Sequence, residues 1–153
     1  MIQAGLYRAL TTAPTIQALM PKDSSGQSLA KECVHFVRAP KLPRMPYVVV
    51  HLINVPPADA SLDGVVTNLI DGEFQFDSVA DDANNGALTA RQLNRAVREL
   101  LQDFDGTLSD GTVIRFYDVS ADFDDNYEVG GTSYIFRSVL RLKAFYTEGP
   151  NSL

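Results

Sequence analysis

The chain has 153 residues, 45% of them hydrophobic and 21% charged, which excludes a largely disordered polypeptide; a chain of this size buries roughly 68–70% of its unfolded surface and needs no disulfide or metal to fold. Its longest apolar run, Tyr47 to Ile53, is broken by His51 and is far shorter than a bilayer span, no basic-then-apolar leader opens the chain, and the single cysteine, Cys33, excludes an internal disulfide framework and points to cytosolic synthesis. The net charge of −6 is unevenly placed: residues 1–50 carry six basic and two acidic side chains, the other 103 carry seven basic and seventeen acidic, which argues against a broad nucleic-acid-binding surface and suits a chain whose two ends meet different surfaces.

The first 20 residues read as helix, with Ile2, Leu6, Ala9 and Leu10 at helical spacing, an interruption at Thr11, Thr12 and Pro14, and a second piece carrying Ile16, Leu19 and Met20. Pro14 fits a first helical turn, and Pro21 stops the second piece. Residues 21–45 form a polar and then proline-rich stretch, containing a candidate short strand at Cys33 to Val37 and three prolines between Ala39 and Pro46. A connection of this length either contains a hairpin or acts as an arm against a neighbour.

Tyr47 to Val55 is the clearest strand, β-branched and apolar on both sides. Ile70 to Ser78 alternates, with Ile70, Phe74 and Phe76 on one side and Glu73, Gln75 and Asp77 on the other. A helix is expected from Thr89, which has Gln92 three residues later as a capping box and Leu88 with Leu93 as a staple. Its apolar stripe is Ala90, Leu93, Val97, Leu100, Leu101 and Phe104, its solvated stripe Arg91, Arg95 and Arg98, and Gly106 its C-terminal cap. Thr112 to Ser120 and Thr132 to Tyr146 read as the last two strands, joined by an acidic loop at Asp122 to Gly131. These elements predict one α+β domain over residues 1–153, an antiparallel sheet of about four strands packed by helices in the order α-β-β-α-β-β.

The residues offer little chemistry. Cys33 and His35 lack the further ligands a metal site requires. Asp122-x-Asp124-x-Asn126 begins like a calcium loop, but Tyr127 occupies the glycine position and Ser133 the position of the closing glutamate. A nucleophile elbow, a phosphate-cradling loop and a dinucleotide fingerprint are absent. No enzymatic activity and no cofactor are expected.

The order of events is nevertheless distinctive. An alanine- and leucine-containing helix (Ile2 to Met20) precedes a proline and an aliphatic strand (Pro46 to Val50), followed by Ser61-Leu62-Asp63-Gly64 and an alternating strand with Phe74 and Phe76. An Ala/Arg/Leu helix (Ala87 to Gly106) then leads through an acidic segment containing Tyr127 to a final strand (Tyr134 to Phe145). In this the chain resembles the tail-completion or tail-terminator proteins of tailed bacteriophages and phage-derived particles, with residues 21–45 longer than usual for them.

The resemblance implies a structural virion protein at the head-proximal end of the tail, made in the host bacterial cytoplasm. Its copies would form a ring, usually a hexamer, that caps the tail tube, ends its polymerisation and joins it to the head-side connector or stopper. Its partners would be itself, the tail-tube protein and the connector, with DNA passing through without specific binding and no membrane involved. The alternatives are a head-closure or tail-tube protein of the same particle, or a small cytoplasmic α+β ligand-binding protein. Under the ring reading, Arg38, Lys41, Leu42, Arg44 and Met45 are candidate subunit contacts. Asp122, Asp124 and Asp125 are candidate channel-facing acids, because a wall without Lys or Arg gives phosphates nothing to displace their counterions.

Overall fold

The computed structural model describes residues 2–41, 43–54, 69–81, 85–129 and 133–147; Leu42 and the Ser61-Leu62-Asp63-Gly64 turn lie outside them. Helix α1 (Ile2–Thr12) buries Ile2, Leu6 and Leu10, and α2 (Pro14–Leu19) buries Ile16. The break falls at Ala13, whose backbone is extended, with Pro14 opening α2 as expected. The Gln17 side chain donates to the Thr11 carbonyl at 2.9 Å, so the end of α1 is satisfied by α2.

The segment that follows is only partly an arm. The Asp23 carboxylate accepts bonds from the Ser25 amide and hydroxyl and from the Gln27 amide, closing a turn that Gly26 completes with φ of 84°. A short 3₁₀ turn, Ala30–Glu32, and strand β1 (Val34–Phe36) come next. Ala30, Cys33 and Val34 are buried in this chain's own core, and the Tyr7 hydroxyl donates to the Lys31 carbonyl at 2.6 Å. The exposed part begins at Val37, which is 65% accessible and has φ of 72°.

The other strands are β2 (Tyr47–Asn54), β3 (Ile70–Asp81), β4 (Asp105–Thr107), β5 (Val113–Val129) and β6 (Ser133–Thr147), with helix α3 (Gly86–Leu101) between β3 and β4. They make one six-stranded sheet in the order β1-β2-β3-β6-β5-β4, parallel between β1 and β2 and antiparallel elsewhere. The fold is therefore predominantly β and mixed. This corrects the expected four-stranded antiparallel sheet in the order α-β-β-α-β-β. β1 and β4 have three residues each, too few for an alternation to register, and both lie at sheet edges.

Two other boundaries differ from the sequence reading. The acidic segment is strand as far as Val129, not a loop from Asp122. Helix α3 starts at Gly86, with Asn85 in the left-handed region as its cap and no side-chain capping bond, so Thr89 lies inside the helix. The cause is packing: a side chain on Gly86 would overlap the Phe136 ring of β6, so the glycine lets the extra turn lie on the sheet. At the other end the cap is Gln102, Asp103 takes the left-handed conformation, and Gly106 belongs to β4.

Among the described residues α1, α2 and α3 cover one face of the sheet. Phe74, Phe76, Leu140, Leu142 and Tyr146 of that face are buried with Leu6, Leu10, Ile16, Leu93, Val97 and Leu101 of the helices. Phe74 stands at its centre, 5.7 Å from the Tyr146 ring and 6.0 Å edge-on from Phe116. Among the described residues no helix lies on the opposite face.

Candidate assembly surfaces

On the helix-covered side, Arg91 and Arg98 stand one helical repeat of seven residues apart on α3 and reach the same carboxylate. Arg91 Nη1 lies 2.7 Å from Asp122 Oδ1, and Arg98 Nη1 2.6 Å from Asp122 Oδ2. Arg91 also bonds Asp124 at 3.1 Å and the Ser138 hydroxyl at 3.2 Å, and Ser138 donates to Asp124 at 2.6 Å. Burial alone would push the Asp122 carboxyl up, but the two guanidinium hydrogen bonds and charges outweigh it and hold it below its ordinary value. The expected solvated arginine stripe is thus a clamp on β5, with only Arg95 turned away, toward Glu99. A shallow cleft of about 590 Å³ runs beside the clamp, lined by Leu88, Arg91, Arg95, Arg98 and Asp122.

The open face is organised around Asp77, whose side chain is only 8% exposed. Its carboxylate accepts from Gln75 Nε2 at 2.8 Å and lies 3.4 Å from His51 Nε2 and 3.7 Å from Arg137 Nη1. Arg137 continues to Asp125 at 2.8 Å, and Arg141 donates to Gln75 at 2.8 Å. One chain of polar contacts therefore crosses β2, β3, β6 and β5. The register brings Glu73 opposite Lys143 and Gln75 opposite Arg141, so the acidic side of β3 faces the basic side of β6.

Two bulges in β5 extend this pattern. Seven residues of β5, Phe116 to Asp122, span five of β6, leaving Tyr117 and Ser120 without a partner. Both hydroxyls reach over β6 to acids of β3, Tyr117 to Asp71 at 2.9 Å and Ser120 to Glu73 at 2.7 Å. Tyr117 also stacks on Phe145 at 4.5 Å. Burial, the Asp71 hydrogen bond and the surrounding acids push the Tyr117 phenol up to about 12. Alternation reasoning missed these residues, because a bulge is where alternation stops.

Among the described residues no cluster of three or more His, Cys, Asp or Glu is placed to hold a metal, and no helix is long and apolar enough to cross a membrane. Burial raises the Cys33 thiol to about 11, and His35 packs edge-on against Tyr47 with its own value lowered by burial.

Residues 4–147 match the family model described as tail completion protein gp17. The chain belongs to this family. It is a structural protein of phage-type tails, a virion component rather than a member of an enzyme family. The fold of this tail completion protein recurs in a chain from the virion of a native gene transfer agent particle, with a TM-score of 0.56 at 22% identity over 94% of each chain. A second solved chain has a TM-score of 0.56 at 15% identity, covering 98% of this chain and 99% of its own. No curated protein matches.

The residues singled out for assembly separate into three places. Arg38 and Lys41 are exposed beyond β1, Arg44 pairs with Glu32 at 3.0 Å, and Met45 packs against the core. Asp122 and Asp124 turn to the helix side, where arginines meet them. Asp125 turns to the open face. Two of the three acids therefore lie on one face of the sheet and the third on the other.

Proposed function

We propose that this tail completion protein forms a ring that caps the tail tube, ends its growth and joins it to the head-side connector. The observation that carries the reading is the family match over nearly the whole chain. The fold shared with a chain of a gene transfer agent virion supports it. In this reading the open face lines the channel. The register places Asp71, Glu73, Asp118 and Asp125 on that face beside Arg115, Arg137, Arg141 and Lys143, while Asp122 and Asp124 serve the fold on the other. Acids set against these cations compete with phosphates for them, so DNA passes without being held.

Particles assembled without this protein test the reading. Overlong tails without heads are expected, restored to normal length when the protein is supplied. Tails of normal length joined to heads would overturn it. For the wall, Asp71→Lys with Asp125→Lys is expected to make particles retain DNA in a salt-dependent manner.

A further inference from the structure

The two edges of the sheet differ in charge and in what covers them. On one side β4 pairs with β5 only at Val113 to Arg115, and Phe116 donates to the Phe104 carbonyl. From Tyr117 to Val129 the outer edge of β5 has no strand beside it among the described residues. Residues 113–129 hold five acidic side chains and one basic; Asp122, Asp124 and Asp125 already pair with arginines of the same chain, and Asp118 is exposed. On the other side the outermost strand is β1, with three residues, followed by a segment (37–45) that holds three basic side chains and no acidic one. Arg38 and Lys41 there are exposed, with no ion pair or side-chain hydrogen bond among the described residues.

We infer that these two edges meet between copies: the outer edge of β5 in one subunit receives β1 and the basic segment after it from the next. This rests on the ring reading and says which surfaces make the ring. Three arguments support it. The charges are complementary, and the acidic edge of one copy is repelled by that of another, so an edge pairs with its opposite and not with itself. Contact between two different surfaces of one chain is heterologous, the kind that closes into rings.

Strand direction gives the third. β1 runs parallel to β2, and three successive antiparallel steps separate β2 from β5. A neighbour in the same orientation therefore offers β1 antiparallel to β5, the arrangement with the straighter hydrogen bonds. Pro40 and Pro43 lack amide hydrogens, so they limit the ladder to a short stretch and leave Arg38 and Lys41 to act by charge.

Purified tails provide the test. Carbodiimide treatment of wild-type tails is expected to join Lys41 to a β5 carboxylate, and particles grown from mixed heavy- and light-isotope subunits should show the link between copies. Arg38→Glu with Lys41→Glu, both at exposed positions, is expected to give folded protein by circular dichroism but overlong tails. Adding Asp118→Lys, at an exposed position of β5, to the same chain is expected to restore part of the normal-length tails. The contact is overturned if the double reversal leaves tails normal, or if links to Lys41 never involve β5; the ring reading survives that result. Normal tails in the complete absence of the protein overturn the ring reading itself.

Discussion

The two faces of the sheet are built from the same strands but held in different ways. The helix-covered face is apolar and fully enclosed, with Phe74, Phe76, Leu140 and Leu142 packed under α1 and α3. The open face has no second layer among the described residues, and its buried carboxylate, Asp77, is held by Gln75 of its own strand and by His51 and Arg137 of the two neighbouring strands. One face supplies the energy of folding through apolar area. The other fixes the relative positions of β2, β3, β6 and β5 while leaving a polar surface exposed. A protein that must present a surface to other molecules can then vary the second face without unfolding the first.

The largest effect should come from breaking the apolar face. Phe76→Ala is expected to cost about 3–5 kcal/mol in denaturant unfolding, since Phe76 is fully buried and its loss leaves a cavity. Asp77→Ala should cost less, about 1–3 kcal/mol, because Arg137 keeps Asp125 and the damage is an unpaired polar network rather than a void. The ratio of the two in the same titration measures how differently the faces are held.

The clamp on the helix side contributes less than either. Asp122→Asn is expected to cost about 1–2 kcal/mol, since both arginine partners are more than a third exposed and water takes over part of the interaction. The folded Asp122 carboxyl sits below its ordinary value of 3.8. Its contribution is complete above that value and is lost as pH falls through the lower folded one. Acid unfolding followed by circular dichroism should therefore show a shallower loss of stability in Asp122→Asn than in the wild type.

The smallest effect belongs to Tyr117. Removing its hydroxyl in Tyr117→Phe loses one hydrogen bond to Asp71, worth about 0.5–1.5 kcal/mol. Because folding raises this phenol from 10 to about 12, its contribution is fully present below pH 10 and is lost as pH rises toward 12. The substitution should flatten the alkaline decline of stability across that interval. An unchanged decline would assign it to other groups.

The sequence pattern revealed those parts of the fold where one local preference dominates. The helix break at Ala13, the aliphatic strand β2 and the alternation of β3 and β6 are all settled by neighbours along the chain. The extension of β5 through Asp122, Asp124 and Asp125 is not. Aspartate is depleted in strands, and here arginines of α3 and β6, distant in sequence, answer its charge. The start of α3 was hidden for a similar reason, since Gly86 reads as a breaker until Phe136 is placed beside it. Of the assembly residues, their charge and exposure at 38–41 were legible, but the division of Asp122, Asp124 and Asp125 between two faces needed the register.

The paired bulges at Tyr117 and Ser120 give β5 two residues that its pairing with β6 does not use. Each bulge sets two residues against one, so deleting the extra residue straightens the ladder and leaves every later pair in register. Loss of the codon for Tyr117 or Ser120 would therefore keep Asp122 and Asp124 toward Arg91 and Asp125 on the open face, while removing a hydroxyl contact to β3. A deletion in the regular stretch beyond Asp122 meets no such slack and turns the following acids to the opposite face. Length variants of β5 that still fold are expected to have changed between Phe116 and Asp122.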